Sequence, residues 1–128
     1  MILIENIKIS IWGRDFTLPV LFNCYAGEEV TAEQIRALEK MISNSALIEK
    51  SKKSVESFCE LEVMADEKNI DKDNIFTYIK PVSIFVKHEI INPRVAIMCK
   101  YRYDLEHGLA VVFSHDGKIE VGNEDIII

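Results

Sequence analysis

The chain has 128 residues, 48% hydrophobic and 28% charged. That is the size and composition of one soluble globular domain, 1–128, with enough apolar material to fold without a disulfide or metal staple. Its 15 Lys and Arg against 21 Asp and Glu leave a formal net charge of −6, which argues against nucleic-acid binding by phosphate neutralisation and against an anionic membrane surface as partner.

The opening residues carry no basic segment or small-residue cleavage site, and no apolar run anywhere approaches the roughly 18 residues of a membrane span. The expected location is cytoplasmic. Leu3, Ile7, Ile9 and Ile11 share one parity, the period of a half-buried strand. Gly13-Arg14-Asp15 reads as a turn, followed by a second alternation through Phe16, Leu18, Val20, Phe22 and Cys24. Pro19 falls on the opposite parity and cannot donate to a ladder, which predicts an edge strand. Together these make a hairpin.

After Gly27-Glu28-Glu29 the period changes. Thr31-Ala32-Glu33-Gln34 matches a capping box, and Ile35, Leu38, Met41 and Ile42 follow at helical spacing. Ser43-Asn44-Ser45 interrupts, and Asn44 or Ser45 is placed to cap a second helix whose apolar side holds Leu47, Ile48, Val55, Phe58 and Cys59, with Glu62. A polar connection is expected over 66–74, and a short helical turn over 75–80 ended by Pro81. Strands are then predicted over 82–88 and 95–103. The uniformly apolar stretch 109–113 predicts a strand buried on both faces. His115-Asp116-Gly117 predicts a hairpin through a type I′ turn, and Ile126-Ile127-Ile128 is expected inside the fold. The predicted architecture is α+β: an N-terminal hairpin, two helices, then an antiparallel β-meander, with the helices on one face of the sheet.

Cys24, Cys59 and Cys99 are widely spaced, with no CxxC or CxxH pattern. They read as free thiols in a reducing compartment, and no metal or other cofactor is expected from them.

The segment Tyr103-Asp104-Leu105-Glu106-His107-Gly108-Leu109 concentrates two carboxylates, an imidazole and a glycine between apolar strands, with an echo at Gly122-Asn123-Glu124-Asp125. Together with the strand after it, Val121-Gly122-Asn123-Glu124-Asp125-Ile126, and Lys80-Pro81-Val82-Ser83-Ile84, it resembles a family of small bacterial domains of uncharacterised function. Tyr103 stands where that family commonly has tryptophan. The motifs lie from Lys80 onward; the preceding hairpin and helix pair agree in broad layout. The resemblance implies an association with immunity or accessory proteins of toxin systems and no catalytic assignment.

Asp104, Glu106, His107 and Asp125 invite two chemical readings, a divalent metal site or general acid–base catalysis. Glu106 and His107 are adjacent and diverge, no second imidazole stands at ligand spacing, and no nucleophile or phosphate-cradling loop accompanies them. A self-capped turn accounts for the same residues: Asp104 on the turn amides, Gly108 at positive φ, His107 on a backbone carbonyl. The expected function is therefore non-enzymatic: a small inhibitor of immunity type binding a cognate toxin. The candidate contact residues are Asp104, Glu106, His107, Glu124, Asp125, Glu28 and Glu29, and the partner is a basic toxin domain steered by complementary charge. The alternatives are a metal-dependent or acid–base enzyme using Asp104, Glu106, His107 and Asp125, and a module that self-associates through the Pro19 edge strand. His88 and His115 read as solvated. Trp12 reads as a core lid or an interface anchor.

Overall fold

The computed structural model describes residues 2–25, 27–66 and 72–128, with side chains at 6–25, 27–61 and 75–128. The hairpin that opens the chain is β1 (Ile2–Ile11) and β2 (Arg14–Phe22), paired antiparallel and closing with Ile11 opposite Arg14. Its loop is Trp12 and Gly13, with φ of 52° and 81°, so the turn lies one residue earlier than expected and has the two positive φ values that type I′ requires. Left-handed backbone is costly for a tryptophan. The indole is held in compensation: Nε1 donates to the buried Ser51 hydroxyl at 2.9 Å, and the ring lies 5.1 Å from Phe76. Trp12 is thus a lid on the core.

Thr31 caps α1 (Ala32–Ser43) with both halves of the capping box present. Asn44 is the only break before α2 (Ser45–Asp66), and its side chain accepts the Leu47 amide at 3.1 Å. The side chain of Glu62, and residues 67–71 of the expected polar connection, lie outside the described residues. A 3₁₀ turn at Lys72–Thr77 leads to β3 (Ile79–Val86), β4 (Val95–Tyr101), β5 (Leu109–Phe113) and β6 (Ile119–Gly122), and a second 3₁₀ turn spans Glu124–Ile126.

The six strands form one sheet in chain order, β1 to β6, and every neighbouring pair is antiparallel except β2 and β3, which are parallel. The expected α+β class holds, but the sheet is mixed. The helices are a crossover between β2 and β3, which returns the chain to the end where β2 began, so β3 runs alongside β2 in the same direction. Hydrophobic periodicity is identical for either direction, so the sequence pattern carried no sign of this.

The two strand prolines, Pro19 and Pro81, sit where a missing N–H is harmless. β2 is an interior strand rather than an edge. Its ladder with β3 covers only Val20, Leu21 and Phe22, so Pro19 precedes it, and on the other side Pro19 faces Asn6 beside an irregularity in β1. Pro81 lies inside β3 at a register shift between Pro81 and Ser83, the bulge position that a strand proline favours. The helical turn expected up to residue 80 therefore ends earlier, at Thr77. In the β5–β6 hairpin only Gly117 has positive φ, at 86°, and Gly117 N–H donates to Ser114 O at 3.0 Å. That is a type I turn completed by a left-handed glycine, not type I′.

One face of the sheet packs on the helices: Leu18, Val20, Ile84, Val86, Ile97 and Val111 share a core with Met41, Ile48, Val55 and Cys59. The other face has a smaller core of Phe85, Ala96, Ala110 and Val112 covered by Ile127, whose carbonyl accepts the Lys87 Nζ at 2.6 Å. β5 is buried at all five positions, as its composition predicts. No helix among the described residues is long and apolar enough to cross a membrane.

Gln34 is fully buried and joins three elements. Its Oε1 accepts the Thr31 amide at 3.0 Å, and its Nε2 donates to Asn23 O at 2.9 Å, with Val86 O and Lys87 O at 3.4 Å. Gln34→Ala is expected to lower the unfolding free energy by about 2–4 kcal/mol, combining a lost cap, a cavity and orphaned carbonyls. Urea denaturation measures it; a loss below about 1 kcal/mol would show that the amide does not hold this junction.

Candidate functional site

β4 ends at Tyr101 and the chain must reverse within a few residues to enter β5. Asp104 N–H donates to Tyr101 O at 3.1 Å, and Asp104 then caps a single turn: Oδ1 accepts the His107 amide at 3.1 Å, and its carbonyl accepts the Gly108 amide at 2.8 Å. Gly108 stops the turn at φ 64°, and a Cβ there would stand 2.7 Å from Cys99 O. Only glycine satisfies both conditions. Asp104 and Gly108 therefore do the structural work that the sequence pattern assigns to them.

The His107 ring departs from expectation. Its Nδ1 lies 3.2 Å from Asp104 Oδ1 rather than on a backbone carbonyl. Donating its Nδ1–H to the Asp104 carboxylate raises the imidazole above its ordinary value, with the charges of Asp104, Glu106 and Asp125 adding to it and partial desolvation opposing.

The echo segment does converge on the turn. Glu124 N–H donates to His107 O at 3.2 Å, and Asn123 Oδ1 accepts the Asp125 amide at 2.9 Å. The contact follows from the β5–β6 register, which puts Gly122 opposite Ala110 and so delivers residues 123–125 beside 107–108. Of the four side chains proposed for acid–base or metal chemistry, only Asp104 and His107 share a hydrogen bond among the described residues. No cluster of three or more His, Cys, Asp or Glu suited to a metal ion occurs among them.

The outward side of the turn has no such duty. Leu105 is 77% exposed, and Glu106 and Asp125 are exposed as well. At the base, Tyr103 lies edge-on to Tyr78 at 5.4 Å and to Tyr101 at 5.8 Å, and the Arg102 guanidinium sits over the Tyr78 ring.

Glu28 and Glu29 do not join this group. They follow β2, at the end of the sheet where β3 finishes, whereas the 104–108 turn lies where β3 begins, since Ile79 pairs with Tyr101. The length of β4, about 20 Å, separates the two sets. Glu28 is also engaged: its Oε2 lies 2.9 Å from Nε2 of His88, a largely buried ring that packs edge-on to Tyr25 at 5.0 Å. His88 is thus a structural residue and not a solvated one. Glu29 is exposed.

A sequence model of the family described as Domain of unknown function (DUF6985) matches residues 3–128. The chain belongs to this family. No curated protein and no solved structure matches it. The DUF6985 match takes in both helices and all six strands, well beyond the C-terminal motifs that first suggested a family. Within this DUF6985 chain, two features were invisible in the sequence: the buried role of Gln34, which a capping-box glutamine does not announce, and a cleft beside α1 formed by segments distant in the chain.

Gly108→Ala is expected to destabilise by about 1–3 kcal/mol for its backbone alone, and further because the new Cβ meets the Cys99 carbonyl. Gly117→Ala, at φ 86° with nothing within 4 Å of the added atom, carries only the backbone part. Thermal denaturation of both should rank Gly108→Ala as clearly the worse.

The His107 pair sets a pH dependence with a definite sign. Because the folded value is raised, the stabilisation is full below the ordinary imidazole value, about 6.5, and is lost as pH rises through the folded value. A proton NMR titration should place His107 above the ordinary value, and Asp104→Asn should return it downward. An unchanged titration in Asp104→Asn would contradict the assignment.

Proposed function

We propose that this domain is a protein-binding module of immunity type, which inhibits a cognate toxin by presenting the outer side of the 104–108 turn. The observation that carries the reading is Leu105. It is 77% exposed on a turn fixed by the Asp104 cap and the Gly108 stop, and nothing in the turn's own bonding uses it. A side chain displayed on a preordered turn loses little freedom on association. The exposed Glu106 and Asp125 add negative charge to the turn, both acting on His107, and the half-buried Tyr78 and Tyr103 pack together where β4 leads into it. An apolar knob on an acidic turn complements an apolar pocket rimmed by Lys or Arg, and tyrosines are favoured at such contacts. The net charge of −6 would speed encounter with a basic partner. Glu28 and Glu29, at the far end, belong to no such surface.

The test is co-expression with the product of the adjacent gene, followed by toxicity and complex formation. The wild-type domain should neutralise that product and form a stoichiometric complex. Leu105→Arg and Glu106→Lys should each weaken binding about tenfold or more with unchanged Tm, and raised salt should slow association. Failure to bind or neutralise, or undiminished binding by Leu105→Arg, would defeat the reading. The Asp104–His107 pair supports the rival acid–base reading, in which His107→Gln abolishes a turnover that Leu105→Arg leaves intact.

A further inference from the structure

A concavity lies at the opposite end of the sheet, independent of the Leu105 turn. It opens between the last turns of α1, the β3–β4 connection and the β5–β6 hairpin, and its volume is about 280 Å³. Met41, Val95 and Phe113 line it, none more than 4% exposed, so its floor is continuous with the main core. At this volume the space equals that of about nine waters, suited to a ligand of roughly ten non-hydrogen atoms. Such small concave sites with an apolar floor and a few convergent polar groups are the usual form of ligand pockets.

The mouth carries one unpaired cation, Lys40, in a chain that is acidic overall. Arg36, Lys40 and His115 border it. Glu33, the one carboxylate on the lining, is already paired with Arg36. Glu89, on the neighbouring connection, is taken by the amide and guanidinium of Arg94, both at 3.0 Å. Lys40 Nζ donates to His115 O at 2.9 Å and lies 3.4 Å from His115 Nδ1, and no carboxylate pairs with it among the described residues. An ammonium with donors to spare stands at the edge of an apolar floor. Beside it, Ile90 and Ile91 are 86% and 77% exposed and lead directly into Asn92 and Pro93, which line the cleft.

We propose that this cleft binds a small carboxylate with an apolar body, its hydrocarbon or aryl part on Met41, Val95 and Phe113 and its carboxylate at Lys40. The site does not suit a phosphate. Lys40 lies in the last turn of α1, whose carbonyl end opposes a dianion about twice as strongly as a monoanion and offers none of the free backbone amides that cradle phosphate at a helix N-terminus. An alcohol of the same shape keeps the floor contacts and loses the ion pair, and an amine meets Lys40 as a like charge.

Amide NMR spectra of the protein with phenylbutyrate, phenylbutanol and phenylbutylamine, each at millimolar concentration, test this. Phenylbutyrate should shift the amides of Ala37, Met41 and Phe113 and leave 104–108 in place. The alcohol and the amine should bind at least about tenfold more weakly, the loss expected for one charge-assisted contact. Lys40→Met should reduce phenylbutyrate binding to the level of the alcohol. Ala37→Phe, which fills the lining without touching a charge, should abolish binding of all three at an unchanged Tm. No shift with phenylbutyrate, or equal binding of the three probes, would overturn the proposal.

Discussion

A fully buried glutamine amide is tolerable only when its donors and acceptor are used, and Gln34 uses them to hold the one seam where the sheet is weakest. The β2–β3 ladder is three residue pairs long and parallel, while its neighbours are longer antiparallel ladders. At the end of that ladder Gln34 binds Asn23 on one strand and reaches Val86 and Lys87 on the other, while its carbonyl closes the capping box of α1. A single side chain thus sets the start of the crossover helix against the two strands that it connects. Cys24 adds its thiol to the same carbonyl at 4.0 Å. With this junction made, α1 lies across one end of the sheet, and the main apolar core closes beneath both helices.

That arrangement gives the two ends of the sheet different characters. Near Gln34 the carboxylates are largely committed, Glu28 to His88 and Glu89 to Arg94, while Lys40 reaches the β5–β6 hairpin with donors to spare. At the other end the β4–β5 connection has to turn within a few residues against the Cys99 carbonyl. Asp104 and Gly108 meet that demand from the inner side of the turn, and Leu105, Glu106 and Asp125 are left facing solvent. One motif therefore divides along its length between residues bonded into the turn and residues exposed to solvent.

Much of this was legible in the residues. The alternation in β1 and β2, the uniformly apolar β5, the Thr31–Gln34 capping box and the break at Asn44 follow from local chemistry and lie where they were expected; of the final three isoleucines Ile127 is buried and Ile128 is exposed. Strand direction was not legible, since a period of two says nothing about parallel or antiparallel neighbours. Pro19 misled for a related reason: whether a missing N–H matters depends on where a distant ladder begins, and β3 joins only from Val20. Asp-Gly suggested a type I′ turn at 116–117, but the hairpin took a longer loop, and the type I′ turn fell to Trp12 and Gly13 because α2 offers the indole a partner. In the acidic turn, the capping role of Asp104 was readable. The union with residues 123–125 depended on the β5–β6 register, and the separation of Glu28 from that group depended on the parallel crossover.

The inner side of the 104–108 turn holds the fold together, and the outer side takes no part in it. The most direct measurement is the urea unfolding free energy of the Leu105→Ala, Glu106→Ala double variant beside that of Asp104→Ala. The double variant is expected to stay within about 0.5 kcal/mol of wild type, as surface substitutions do, and Asp104→Ala to lose about 1 kcal/mol or more through its lost cap. A double variant that unfolds as readily as Asp104→Ala would contradict the division and make the whole turn architecture.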